Sequence, residues 1–328
     1  MEMLAGYGMF AVGFLTFVAI YAVLTLGLNI QWGLAGQFNI GIAGFFAVGA
    51  YTSAILTTEF STHHLGGFNL PIPLGMVGAM IAAGILALLI GVFTVKLRGD
   101  YLAIATIGIA ESVRIILKNE EWLTNGVRGI VAIPQPFQGL VGGRARQVIY
   151  LAIALLIVAM VYAAVERLRK SPWGRALRAQ RENEDTAMAS GKDVVSYRLQ
   201  AFVLGSMIMG LAGAMYAHYL QFITTTPFKP VFGTFIVWIM LIAGGSGNNK
   251  GALLGAFFVW GIWNGSEILL TSVVPVEFAT QASAGRIVMV GVLIVAVLLW
   301  RPDGFLPEAR VLPGAGGKDP PPKIPARK

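Results

Sequence analysis

Continuous apolar runs recur along the chain near residues 8–30, 37–57, 73–95, 101–117, 147–165, 198–221, 230–245, 250–271 and 285–300. Each approaches the roughly 20 residues that an α-helix needs to cross a bilayer. In lipid every backbone N–H and C=O must find a partner inside the protein, so only helices or a closed barrel can span it. Barrel strands would alternate apolar and polar residues over about 10 positions, and these runs do not alternate. The pattern predicts an all-α polytopic membrane protein with about nine transmembrane helices. The range is eight to ten, because several runs are short or rich in glycine. The first run does not read as a cleavable leader: Glu2 is the only charge before it, and the run outlasts the usual apolar core of a signal peptide.

Composition narrows the function classes. Charged residues make up 12% of the chain and apolar ones 56%, with a mean hydropathy of +0.72. That is about half the charge of a soluble domain. The absence of Cys excludes disulfide frameworks, Cys-ligated zinc, iron–sulfur clusters and thiol catalysis. Three His, of which His63 and His64 are adjacent in a loop, leave little room for a metal site, and none is expected. The net charge of +8 does not point to nucleic acid, because the basic residues sit in short stretches between apolar runs, as cytoplasmic loops do.

Those loops set the expected topology. The stretch from Glu166 to Arg198 contains Arg167, Arg169, Lys170, Arg175, Arg178, Arg181 and Lys192, and the positive-inside rule makes it cytoplasmic. Nine spans then put Lys96, Arg98, Lys250 and the C-terminus inside, and the N-terminus outside. The loops at 58–72 and 272–284 fall outside and contain no Lys or Arg. Lys229 and the mixed-charge loop 118–146 also fall outside, against the rule. Residues 1–305 read as one transmembrane domain. Pro307, Pro313 and Pro320-Pro321-Pro322 make 306–328 a disordered cytoplasmic tail.

Residues 166–198 are the most informative. Pro172 suits the start of a helix and Gly191 its left-handed end, which predicts a short amphipathic helix lying on the cytoplasmic face. A solvated basic loop that only sets topology is the plainer reading. Gln31, Gln37 and Asn39 lie beside Gly33, Gly36, Gly41, Gly44 and Gly49, which suits either a broken helix lining a solute path or close helix packing. Ser206, Gly210 and Ala214 repeat every fourth residue and read as a packing stripe. Glu111 and Arg114 can pair on one face of a span, either as a functional site or at the interface where the span ends. Gly244 to Gly251 is not a phosphate loop, since Asn249 precedes Lys250 and Gly251 follows it. No His follows Ser246 to serve it as a base, so this stretch reads as a tight turn.

Several blocks together resemble one family. Arg175-Ala176-Leu177-Arg178-Ala179, Arg181-Glu182-Asn183-Glu184 and Ala187-Met188-Ala189-Ser190-Gly191 are similar to the cytoplasmic coupling loop of LivM-type permeases of branched-chain amino-acid ABC importers. Leu28-Asn29-Ile30-Gln31-Trp32-Gly33, Phe38-Asn39-Ile40-Gly41, Leu97-Arg98-Gly99-Asp100-Tyr101 and Gly244-Gly245-Ser246-Gly247-Asn248-Asn249-Lys250-Gly251 follow in the family's order. Glu184-Asp185-Thr186 departs from the EAA pattern usual before the loop glycine.

The resemblance implies a non-enzymatic permease subunit of the bacterial inner membrane that works by alternating access. ATP and Mg would be bound by two partner ATPases and not by this chain. Its other partners would be a LivH-like second permease and a periplasmic substrate-binding protein. The cargo would be leucine, isoleucine or valine, with urea, short amides or another small solute as the alternative. A transporter acting without ATPases is a further reading, one that leaves the Arg175–Gly191 pattern unexplained. Residues expected to couple to the ATPase are Glu182, Glu184, Ala187, Met188 and Gly191. Those expected along the solute path are Gln37, Asn39, Gly41, Gly44 and Glu111.

Overall fold

The computed structural model describes residues 2–308 except 63, 98, 274–278 and 302. Twelve α-helices are ordered along the described residues: α1 (Glu2–Leu28), α2 (Ile42–Thr57), α3 (Ile72–Thr94), α4 (Asp100–Asn119), α5 (Glu121–Thr124), α6 (Gly143–Lys170), α7 (Pro172–Glu182), α8 (Glu184–Ala189), α9 (Val194–Leu220), α10 (Ile236–Gly244), α11 (Asn249–Val273) and α12 (Ala279–Trp300). No β-strand occurs among the described residues; one antiparallel bridge joins Ile130 and Ile223. Each expected apolar run falls on a helix. Among the described residues, four spans are by themselves long and apolar enough to cross a bilayer: Gly6–Leu34, Ile72–Thr94, Gly143–Lys170 and Val194–Leu220. Ile42–Thr57 and Val231–Gly244 are shorter apolar helices.

α9 is the central post, packed against α1, α2 and α3. Small residues make this possible. A Cβ at Gly210 would lie 2.6 Å from Ala83 Cβ on α3 and 2.7 Å from the Ala79 carbonyl, and one at Gly49 would run into the Gly210 backbone. Ser206 and Ala214 on the same stripe are buried, so the packing reading of that repeat holds.

The connections gather at two ends. At one end the 118–146 loop bonds to the loop after α3's predecessor helix through Leu65 N–H to the Trp122 carbonyl (2.7 Å), and to the end of α9 through Ile133 N–H to the Gln221 carbonyl (3.0 Å). His218 is buried there, its Nδ1 2.7 Å from the Pro134 carbonyl and its Nε2 2.8 Å from Ser53 Oγ. At the other end lie α7, α8, the Gly244–Asn249 turn and residues 303–308. Phe305 N–H and Leu306 N–H donate to the carbonyls of Ala243 (2.8 Å) and Gly244 (3.0 Å), so the ordered chain continues three residues into the stretch expected as tail. Residues 309–328 of that tail lie outside the described residues, as do Arg98 and His63.

Candidate functional site

The first span does not end as a plain α-helix. Its last turns, Asn29–Leu34, are wound as a π-helix, and the chain then runs without helix from Gln37 to Gly41 before α2 begins. Gly36 takes φ +68°, a turn that L side chains rarely adopt. The break expected in the stretch from Gln31 to Gly49 falls at Gln37–Gly41, ahead of Ile42, while Gly44 and Gly49 sit in regular helix. π-winding inside apolar helices often marks functional positions. A second π-segment, Val231–Phe235, precedes α10 and packs on the first break.

Side chains from four other elements tie the break down. Asn39 is fully enclosed; its Nδ2 donates to Gln31 Oε1 (2.7 Å) and its Oδ1 accepts Gly41 N–H (2.7 Å). Gln31 Nε2 continues to the Phe202 carbonyl (2.8 Å) and Ser206 Oγ (3.1 Å) on α9. Thr106 Oγ1 on α4 accepts Ile40 N–H (3.0 Å), Thr234 Oγ1 donates to the Ile40 carbonyl (3.2 Å), and Trp238 Nε1 donates to the Asn39 carbonyl (3.0 Å). These bonds replace the helical partners the backbone lost, as an apolar surrounding demands. Gln37 differs. Its Nε2 reaches the Arg198 carbonyl (2.8 Å), but its Oε1 is buried with no partner among the described residues. Trp32, Phe38 and Trp238 form an aromatic cluster over the break, with ring centroids 4.9–5.5 Å apart.

Gly41 and Gly44 face α4. A Cβ on Gly41 would lie 2.7 Å from the Thr106 carbonyl, and one on Gly44 would lie 3.0 Å from Ala110 Cα. Both glycines line an apolar crevice of about 10 Å³ between α2 and α4, too narrow for an amino acid. Glu111 stands apart from the break. It pairs with Arg114, whose Nε lies 3.0 and 2.9 Å from its two carboxylate oxygens.

At the α7 end, the single amphipathic helix expected from Pro172 to Gly191 is two helices. Asn183 is extended (φ −154°, ψ 107°), which ends α7, and its Oδ1 accepts Thr186 N–H (2.9 Å) to cap α8. The sequence carried that signal, since Asn followed by Glu184-Asp185 is a helix start. α7 buries Gly174, Ala176, Leu177 and Gln180, and Ser171 caps it by accepting Gly174 N–H (3.3 Å). Gly191 takes φ +76°; its N–H donates to Met188 and Lys192 N–H donates to Ala187, the two bonds of a Schellman ending.

Of the expected coupling residues, Glu182, Met188 and Gly191 are exposed and Ala187 is buried. Glu184 faces inward to Arg198 on α9, with Nη2–Oε2 at 2.9 Å, so it anchors α8 to the bundle. Arg181 donates both to the Gly33 carbonyl at the break and to Glu308 Oε2 (2.7 Å). Glu166 at the end of α6 accepts from Arg169 (2.7 Å) and from Asn249 Nδ2 (2.8 Å), and Asn249 Oδ1 accepts from Asn29 (2.8 Å). Arg181, Glu308, Asn29, Glu166 and Asn249 were not expected at a site. Polar residues at the ends of apolar runs mark them in the sequence, but their partners lie far off along the chain. A cavity of about 1160 Å³ opens here, reaching from Trp32 and Gly36 at the break to Arg175, Arg178 and Arg181 on α7.

A broken, polar-stapled helix inside an apolar bundle, joined at one end to a charged helical elbow, has the build of a multi-pass helical membrane protein. The model of the family described as branched-chain amino acid transport system, permease component, matches residues 10–298, and the chain belongs to that family. It is 34% identical to the high-affinity branched-chain amino acid transport system permease protein LivM of Salmonella typhimurium, over 90% of this chain and 69% of that one. A probable LivM of Methanocaldococcus jannaschii is 30% identical, over 91% of this chain and 93% of its own. The LivH permease of Salmonella typhimurium is 25% identical, over 86% and 92%. No solved structure matches.

Proposed function

We propose that this chain is one membrane subunit of an ATP-driven ABC importer for branched-chain amino acids. It would sit in a bacterial cytoplasmic membrane with its C-terminus inside, beside a LivH-like permease. Two ATPases, which bind ATP and Mg²⁺, and a periplasmic binding protein complete the assembly, and about nine spans carry the chain across the bilayer. The observation that carries this reading is the physical link between α7 and the break. Arg181 on α7 holds the Gly33 carbonyl at the end of the π-wound turns. A push on the exposed tip of α8, where Met188 is 45% exposed, would be carried through α7 to the segment that Gln31, Asn39 and Thr106 hold in place. Alternating access needs such a two-state element between the motor and the path.

The chemistry at the break suits the cargo. Trp32, Phe38 and Trp238 offer an apolar surface for a branched side chain, while the unpartnered Gln37 Oε1 can accept from an ammonium group. No fixed charge is required, because a zwitterion can be met by backbone dipoles at a helix break.

The test is reconstitution of the full complex in proteoliposomes with labelled leucine outside and ATP inside. ATP-dependent leucine uptake that unlabelled isoleucine and valine suppress supports the assignment. Suppression by urea or short amides, with none by isoleucine or valine, would replace the cargo. Uptake without ATPases would overturn the class.

A further inference from the structure

Arg178 on α7 is held loosely for a charged group that is mostly covered. Its side chain is 19% exposed, its Nη2 lies 3.4 Å from the Arg169 carbonyl, and its Nη1 lies 3.9 Å from Glu308 Oε1. Its Nε is buried with no partner among the described residues. A guanidinium normally meets its anion at about 2.7–2.9 Å, and a buried donor left this loose calls for an explanation. Arg178 lines the cavity of about 1160 Å³ at this end of the bundle. Arg175, one turn earlier on α7, lines it too, as do Arg169 and Lys170 at the end of α6. Arg175 is exposed and its Nη1 reaches the Lys170 carbonyl (3.2 Å). The lining is not uniformly basic. Glu182, Asp303 and Glu308 face the same space, and Trp32 lines its end at the break. A phosphate dianion would share that space with three carboxylates, whereas a zwitterion finds both signs of charge there. The Trp32 ring adds apolar surface for a side chain.

We propose that this cavity is a second binding site for a zwitterionic, apolar amino acid, entered from the cytoplasm, through which accumulated cargo slows its own import. The proposal rests on the reading of this chain as an amino-acid permease with α7 on the cytoplasmic side. The carboxylate takes Arg178 and Arg175, the ammonium takes Asp303 or Glu308, and the side chain lies on Trp32. A molecule held in this way ties α7 to the chain beyond α12 and to the foot of the first span. α7 is also the element that bonds the break, through Arg181 and the Gly33 carbonyl. The ligand bridges groups on separate elements, so it favours the state in which they lie close together, and only such a difference in affinity can act as a brake. Occupancy therefore opposes movement of α7 and makes the import rate depend on the internal concentration.

The test uses the complete complex in proteoliposomes, with binding protein and labelled leucine outside, ATP inside, and unlabelled leucine loaded inside at rising concentration. Initial uptake should fall as internal leucine rises. Internal leucinamide, which lacks the carboxylate, and isovalerate, which lacks the ammonium, should have no such effect. Arg178→Gln and Arg175→Gln should each raise, by about tenfold, the internal leucine that halves that protein's own uptake, the loss expected for one hydrogen bond to a charged group. An unchanged half-point in both variants would overturn the site, since leucine would then act from the transport path itself. Inhibition by leucinamide equal to that by leucine would overturn the ligand. If Arg178→Gln does not assemble, Arg175→Gln at its exposed position decides alone, an unchanged half-point refuting the site. Leucine uptake that ignores internal leucine sinks this inference alone, whereas absence of ATP-dependent leucine uptake into empty liposomes sinks the proposed function as well.

Discussion

Replacing Asn39 by leucine removes a fully enclosed side chain of similar shape and tests what holds the break between α1 and α2. The substitution strands two buried groups, Gln31 Oε1 and Gly41 N–H, each of which loses a 2.7 Å bond. A buried polar group left without a partner costs about 1–3 kcal/mol, so the pair costs roughly 2–6 kcal/mol. Leucine recovers little of it, because the site is shaped by Gln31, whose amide remains committed to Phe202 and Ser206. Against a typical domain stability of about 5–15 kcal/mol this is a large loss. The assay is thermal unfolding of the purified complex in detergent, paired with initial uptake rates in liposomes well below the melting point. The expected outcome is a melting point lower by several degrees, with uptake falling alongside it. An unchanged melting point with abolished uptake would refute the staple and make Asn39 a solute contact. If neither changes, the two bonds contribute nothing.

Other outcomes follow from the same structure. Met188→Asp should leave the chain in the membrane yet separate substrate-stimulated ATP hydrolysis from uptake; normal values of both would refute a docking role for α8. Gly191→Ala should destabilise the chain by about 1 kcal/mol, because the φ of +76° is the whole cost where no neighbour lies within 4 Å; melting curves measure it, and no change would mean the Schellman ending is dispensable. Leu140→Cys, at 81% exposure in the 118–146 loop, should react with a membrane-impermeant thiol reagent added outside intact cells, in a chain with no native Cys. Reaction only after the cytoplasm is opened would invert the topology.

The helices were legible because continuous apolar runs admit no other structure in lipid. Their ends were less so. The run at 37–57 starts five residues before α2, since Gln37 and Asn39 look tolerable in an apolar stretch until their bonds to Arg198 and Gln31 show that the backbone there is not helical. The glycines were legible as close contacts, though nothing local tells that Gly49 meets Gly210. Asn183 is readable as a cap, yet the flanking pattern suits one continuous helix equally well. What sequence could not convey is pairing at a distance: Glu184 resembles a free surface carboxylate until Arg198 is seen beside it, and Glu308 resembles the start of a tail until it is found on Arg181.

Arg181 gives this arrangement a topological character. It touches the Gly33 carbonyl at the foot of the first span and the Glu308 carboxylate beyond the last helix, while Leu306 is bonded across the turn between α10 and α11. The chain is thereby closed into a ring at one end, although its covalent path is open. Rings transmit load differently from hinges: tilting α7 cannot leave either flank of the bundle at rest. Trimming the chain after Glu308 should leave that ring intact, and trimming before it should open the ring by taking the carboxylate from Arg181.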